Sequence, residues 1–205
     1  MKQLILGAAL AAAVPAAAQV APPRSEVALG VLDHGVNFPE GAPPPGTFYA
    51  GTEERGTVDI ELLWRSRPLT FALKPRLAAK LQVNTGGRTS FAAVGAEWRQ
   101  HVFGGRVYGQ IGIGLAVHNG RLNEVDPFAP GLTPAERARL YDIYANRTAF
   151  GSPVLFNPNL SVGVRLSPRV AVEAVWEHYS HARLFGDQNP GIDMLGGRLV
   201  VGLGR

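Results

Sequence analysis

Apolar and polar side chains alternate with period two along most of this chain, the pattern of β-strands that separate two chemically different faces. Eight segments carry it: Glu26–His34, Thr57–Trp64, Leu69–Val83, Thr89–His101, Arg106–His118, Val154–Leu166, Arg169–His181 and Asp193–Leu203. Several approach the ~9–11 residues that a tilted strand needs to cross a bilayer. In the second segment Val58, Ile60, Leu62 and Trp64 oppose Asp59 and Glu61. In the third, Leu69, Phe71, Leu73, Leu77 and Leu81 oppose Lys74, Arg76 and Lys80. In the fifth, Val107, Ile111, Ile113, Leu115 and Val117 oppose Tyr108, Gln110 and His118. In the sixth, Val154, Phe156, Pro158, Leu160, Val162, Val164 and Leu166 oppose Leu155, Asn157, Asn159, Ser161, Gly163 and Arg165.

The connections differ in length. Arg65–Pro68, Val102–Gly105 and Ser167–Pro168 read as tight turns, and Asn84–Arg88 is short. Gly35–Gly56 and Asn119–Pro153 are long, and Ala182–Ile192 is intermediate. Short turns on one rim and longer loops on the other are the pattern of bacterial outer-membrane barrels. In the longest loop Thr133 is a good N-cap and Pro134 suits the first helical position, so a short helix is expected over Ala135–Ala145.

Parity alone does not say which face is outside. A soluble lipocalin-type barrel turns its apolar face inward, and a membrane barrel turns it outward. The polar faces carry both signs of charge, among them Glu61, Lys74, Arg76, Glu97, Arg99, Arg165, Glu173, Glu177 and Arg198. Such a mixture suits a small barrel whose interior is filled by paired charges. The N-terminus adds to this. Lys2, the apolar run Leu4–Val14 and Ala16-Ala17-Ala18 form the three regions of a secretory signal, with Gln19 as the mature start. The run is too short for a spanning helix. The expected organisation is a signal peptide over 1–18 and one barrel domain over 19–205. The expected fold is all-β, an eight-stranded antiparallel up-and-down transmembrane β-barrel.

Composition narrows the chemistry. With no cysteine in 205 residues, disulfides and zinc–thiolate sites are excluded. Gly (25) and Pro (16) favour turns over long helices. A mean hydropathy of +0.03 is too apolar for a disordered chain. The formal charge is +4, and removing Lys2 with the signal leaves +3. That surplus suits anionic lipid head groups and gives no pointer to nucleic acid.

The last quarter holds the candidate chemistry: Trp176-Glu177-His178-Tyr179-Ser180-His181, then Asn189-Pro190-Gly191-Ile192-Asp193. His178 and Ser180 are two apart on a strand, so they leave the same face with Cα atoms ~6.6 Å apart. Asp193 opens the next strand and can approach the other nitrogen of His178. Hydroxyl, base and orienting carboxylate together make a serine-hydrolase arrangement. All three have the parity of the apolar face, near the loop-rich rim. Glu177 has the opposite parity and is a poor partner for His178. Asp187, in the loop, is the competing acid. Blander readings stand beside this one. His-x-Ser is common, serine near a strand end is often a turn former, and Asn-Pro-Gly is first of all a turn.

The stretch from Gly151 to the C-terminus resembles the PagL-type lipid A 3-O-deacylases, also described as acyloxyacyl hydrolases. The matching residues are Gly151-Ser152-Pro153-Val154-Leu155-Phe156, His178-Tyr179-Ser180, Asn189-Pro190-Gly191-Ile192-Asp193 and Gly197-Arg198-Leu199. The resemblance implies an eight-stranded outer-membrane barrel that removes the acyl chain esterified at the 3-position of lipid A. It implies lipopolysaccharide as substrate, membrane lipid as surroundings, and neither metal nor cofactor. On it, Ser180 is the nucleophile, His178 the base and Asp193 the orienting acid. Phe156, Asn189 and Gly191 support substrate or oxyanion. The chain departs from the family in two notable places. Asp193 stands where better-known members carry Glu, and His181 where Asn is common. A non-catalytic structural or adhesive barrel is the alternative function. A small-molecule channel is disfavoured, because side chains fill an eight-stranded lumen.

Overall fold

The computed structural model describes residues 24–36, 54–186 and 188–204. The expected signal peptide and most of the first long loop lie outside the described residues. The strands are β1 (Glu26–His34), β2 (Thr57–Arg65), β3 (Arg76–Asn84), β4 (Phe91–Val102), β5 (Val107–His118), β6 (Val154–Phe156), β7 (Asn159–Arg165), β8 (Val170–Tyr179) and β9 (Ile192–Gly202). Among the described residues, one α-helix, α1 (Pro134–Asn146), and a short 3-10 turn, Phe103–Gly105, interrupt them. Every neighbouring pair is antiparallel, β1 pairs with both β2 and β9, and β4 pairs with β5, so the sheet closes on itself.

β6 and β7 form one stave. Both pair with β5 in a single unbroken register, Leu115 opposite Phe156 and Gly112 opposite Asn159. The nine segments therefore make an eight-stranded barrel. The interruption is at Pro158, which has no N–H to give to the ladder. Its carbonyl still accepts from the His178 N–H at 3.0 Å. The bond that proline cannot make to the His178 carbonyl is supplied by the Asn157 side chain, whose Nδ2 donates to it at 3.2 Å.

The apolar parity faces outward. Leu29, Leu62, Ile111, Leu115, Val162 and Leu199 are all exposed. Their polar neighbours Asp59, Glu61, Gln110, Asn159 and Ser161 are buried inside. Exposed aliphatic rings around a polar, filled lumen define a membrane barrel, since lipid takes the place of water against those side chains.

The lumen is layered. Midway, Arg65 donates to Glu97 at 2.5 Å and, in a two-pronged contact, to Glu173 at 2.8 and 3.0 Å. Arg198 pairs with Glu61 and Glu177, and Lys80 donates to Glu177 at 2.6 Å. Removing one partner from such a buried pair costs ~3–5 kcal/mol, because the other charge is stranded. Toward the long-loop rim the filling becomes apolar. Phe91 stacks on Tyr179 with centroids 4.1 Å apart, and Leu32, Phe150, Leu155, Ile192 and Met194 surround them.

Two expectations need correction. The third strand begins at Arg76, not Leu69. Leu73 and Lys74 adopt left-handed backbone (φ 63° and 46°), and Pro75 follows. A loop over 66–75 replaces the expected tight turn, with Phe71 and Leu73 exposed on it. The sixth strand is split by Pro158, as described above. The helix in the long loop forms as anticipated, slightly longer than expected. Thr133 Oγ1 accepts from the Glu136 N–H, and the Glu136 carboxylate caps the Thr133 N–H in return.

Candidate active site

The site lies where β8 and β9 leave the barrel wall at the long-loop rim. His178 and Asp193 are direct cross-strand partners. The His178 N–H is engaged by Pro158, and the Asp193 carbonyl accepts from Val36 N–H at 2.8 Å. The two residues thus face each other without a shared backbone bond. That is the antiparallel pairing in which side chains come closest, Cα atoms ~4.5 Å apart. His178 Nδ1 lies 3.0 Å from Asp193 Oδ1. The short side chain of Asp reaches from this position, so the missing methylene relative to Glu leaves no gap.

Trp176 completes this half of the site. Its Nε1–H donates to the same Asp193 oxygen at 2.9 Å. Its ring lies nearly parallel to the imidazole, 21° apart with centroids at 6.0 Å. Two donors on one oxygen fix the carboxylate's rotation, and the indole limits how far the imidazole can tilt. Both partners of the His–Asp pair are about a quarter exposed.

Ser180 follows directly on β8. Its N–H donates to the Phe156 carbonyl at 3.2 Å, and its carbonyl accepts from the Phe156 N–H at 2.7 Å. The exchange keeps Ser180 in register with His178, so both side chains are on the outward face. Among the described residues no hydrogen bond joins Ser180 Oγ to His178 Nε2, the nitrogen that Asp193 leaves unpaired. The Phe156 ring stacks on exposed Phe185, centroids 6.1 Å apart.

Gly191 sits against both residues. Its φ is +68°, and a Cβ there would lie 2.9 Å from His178 Cε1, 3.3 Å from His178 Nε2 and 3.4 Å from Ser180 Cβ. The space between base and serine exists because position 191 has no side chain. Asn189 Oδ1 accepts from the His181 N–H at 2.8 Å, which pins the chain immediately after Ser180.

His181 is buried and turned away from the site. Its Nε2 contacts the Gln188 carbonyl at 2.6 Å, and Nδ1 faces the Phe185 N–H at 3.4 Å. Gln188 Nε2 in turn donates to the Ala149 carbonyl at 2.5 Å. The histidine that stands in place of the family's Asn therefore braces the β8–β9 loop against the long loop. Glu177 is fully buried and bound to Lys80, Arg198 and Tyr179, on the opposite side of the wall from His178. Asp187 lies outside the described residues. Among the described residues no group of three or more His, Asp or Glu side chains is placed to hold a metal ion.

Sequence reasoning brought His178, Ser180, Asp193, Phe156, Asn189 and Gly191 forward, and all six fall in this one patch. It missed Trp176 and Asn157. Trp176 shares the face two residues before His178, and that spacing was the available signal. The role of Asn157 follows only from Pro158 being in register with His178.

A closed eight-stranded barrel with an apolar exterior is an integral membrane protein of the outer-membrane type, and this one bears Ser180, His178 and Asp193 together on that exterior. The family model for lipid A 3-O-deacylase (PagL) matches residues 57–201, which hold every residue of the patch. The chain belongs to the lipid A 3-O-deacylase (PagL) family. Among solved structures, that of the outer membrane enzyme PagL has a TM-score of 0.54 at 16% identity, covering 87% of this chain and 99% of that one. Neisserial surface protein A gives 0.49 at 10% identity, covering 87% and 97%. A de novo designed transmembrane β-barrel gives 0.47 at 11%, covering 88% and 97%. No curated protein matches the chain by sequence.

Proposed function

We propose that the protein is a serine esterase of the outer membrane that removes the acyl chain esterified at the 3-position of lipid A. The observation that carries this reading is the His178–Asp193 hydrogen bond beside Ser180, on the lipid-facing side of the wall. Polar side chains on that face gain nothing from a lipid tail, but they meet an amphipathic substrate whose ester sits just below its head group.

In this mechanism Ser180 Oγ attacks the acyl carbonyl while His178 Nε2 takes its proton. Asp193 holds the Nδ1–H and stabilises the imidazolium. Two donors are assigned to the oxyanion: the Gly191 N–H and Asn189 Nδ2, neither of which has a hydrogen-bond partner among the described residues. The tetrahedral intermediate collapses as the C–O bond to the sugar breaks, and the leaving 3-hydroxyl takes the proton from His178. Water, deprotonated by His178, then cleaves the acyl-enzyme and releases the fatty acid. Phe156 and Phe185 offer the acyl chain an apolar bed beside Ser180, and exposed Leu195, two residues past Asp193 on β9, extends the apolar surface. The long-loop rim faces the cell exterior, where lipid A is displayed, and the short-turn rim faces the periplasm.

The test is incubation of purified, detergent-folded protein with lipid A, followed by tandem mass spectrometry of the products. One fatty acid should be lost from the 3-position. Loss from another position would correct the regiochemistry. No loss would favour a structural or adhesive barrel.

A further inference from the structure

The far end of the lumen, opposite the site above, opens into a cavity of about 610 Å³, within the ~300–1,000 Å³ of small-molecule sites. Its wall carries six cations, Arg24, Lys74, Arg76, Arg99, Arg165 and Arg169, and one carboxylate, Glu26. The layer above is different, since there Arg65, Lys80 and Arg198 meet Glu61, Glu97, Glu173 and Glu177 at close range.

Glu26 is overcommitted. Arg99 grips it with two bonds of 2.7 and 2.8 Å, Arg76 approaches at 3.1 Å and Arg65 at 3.6 Å. Arg76 is 5% exposed, and its Nε has no partner. Among the described residues, Arg24, Lys74, Arg165 and Arg169 have no carboxylate partner. Arg165 instead lies 3.5 Å from His101 Nε2, which gives it no countercharge. A positive surplus held in a concave, partly dry site draws a compact anion, and guanidinium forks suit phosphate oxygens in particular.

We propose that this mouth is a binding site for a phosphate-class anion, either a soluble oligophosphate or the head group of an anionic phospholipid. The ligand would bridge Arg165, at the end of β7, to Arg99 on β4, to Arg76 at the start of β3 and to Lys74 just before it, and supply the negative charge that Glu26 alone does not. The site is separate from His178, Ser180 and Asp193, so it stands or falls independently of the esterase reading.

Detergent-folded protein is equilibrated with radiolabelled pyrophosphate, and in a second arm with mixed micelles of phosphatidylglycerol and phosphatidylcholine, retained lipid being counted by mass spectrometry. Saturable binding of about one pyrophosphate per barrel, or selective retention of phosphatidylglycerol, is expected, and the arm that responds identifies the source. Arg165→Gln and Lys74→Gln should each weaken retention, by about tenfold for the guanidinium. Both lie away from the buried Arg65–Glu173 layer, and a heat-shift gel verifies that they fold. Arg76→Gln is a third variant, used only if it passes the same gel. No saturable retention in either arm would overturn the proposal. So would equal retention by wild type and folded Arg165→Gln and Lys74→Gln proteins.

Discussion

Replacing Gly191 with alanine separates two consequences of one glycine. Position 191 has φ +68°, where an alanine costs ~1–2 kcal/mol relative to glycine from backbone strain alone. The added methyl would also meet His178 Cε1 at 2.9 Å, inside ordinary van der Waals contact. Relief requires His178 to move by roughly half an ångström to one ångström, and a misplacement of about 1 Å at a reacting group lowers rate up to a hundredfold. The expected loss in kcat is therefore about tenfold to a hundredfold, or ~1.4–2.7 kcal/mol in the barrier. Gly87 provides the control. Its φ is +72°, and a Cβ there meets nothing within 4 Å. Gly87→Ala should carry the same strain with no displacement of the base. The assay is fatty-acid release from lipid A in micelles, with thermal unfolding measured on the same samples. Both variants should lose similar stability, and only Gly191→Ala should lose turnover. Full activity in Gly191→Ala would refute the argument that an empty position between His178 and Ser180 matters. Equal losses of turnover in the two variants would show that strain acts instead.

Ser180→Ala and His178→Ala should each abolish deacylation while the barrel still shows its heat shift, because neither side chain enters the lumen. Asp193→Glu should keep much of the turnover and Asp193→Ala should lose most of it; the reverse order in initial rates would remove Asp193 from the orienting role. Trp176→Phe deletes one of the two donors to Asp193 Oδ1 and should lower kcat about threefold to tenfold with KM unchanged, a split that steady-state kinetics reads directly. Glu54 sets a pH limit on the loops: burial pushes its carboxyl pKa up, but hydrogen bonds from His34, Thr89 and Arg147 outweigh that and hold it at about 2, below 4.5. A depressed carboxylate stabilises the folded state above its unfolded value and loses that contribution as pH falls, so the clasp between Glu54 and the long loop should weaken from about pH 4.5 down to about 2. Hydrogen exchange at residues 147–150 should rise across that window in wild type, and Glu54→Gln should raise it at neutral pH as well. Flat exchange would dismiss the clasp.

The strand faces were legible because parity is fixed by backbone geometry: once Val58, Ile60 and Leu62 alternate with Asp59 and Glu61, one set must line the lumen. The same rule placed His178, Ser180 and Asp193 on one outward face before any pairing was known. The limits of the third strand were not legible, because Leu69, Phe71 and Leu73 alternate as a strand would. What stops them is left-handed backbone at Leu73 and Lys74, and no hydropathy pattern encodes it. Burial of the His181 imidazole was not legible, because it depends on Gln188 folding across it from the loop. The hydrogen bond from Trp176 to Asp193 runs diagonally between strands and requires the register. The cationic mouth has the same origin, since Arg76, Arg99 and Arg165 come from three different strands and their common height is set by strand register.

Mass spectrometry of lipid A from cells expressing the wild-type protein, from cells expressing Ser180→Ala at equal folded levels, and from cells lacking both tests the central claim most directly. Wild type should yield lipid A lighter by one ester-linked acyl chain at the 3-position, and Ser180→Ala should yield the unmodified mass seen without the protein. Unmodified lipid A in the wild-type cells, or the same lighter species from Ser180→Ala, would contradict a serine esterase centred on Ser180.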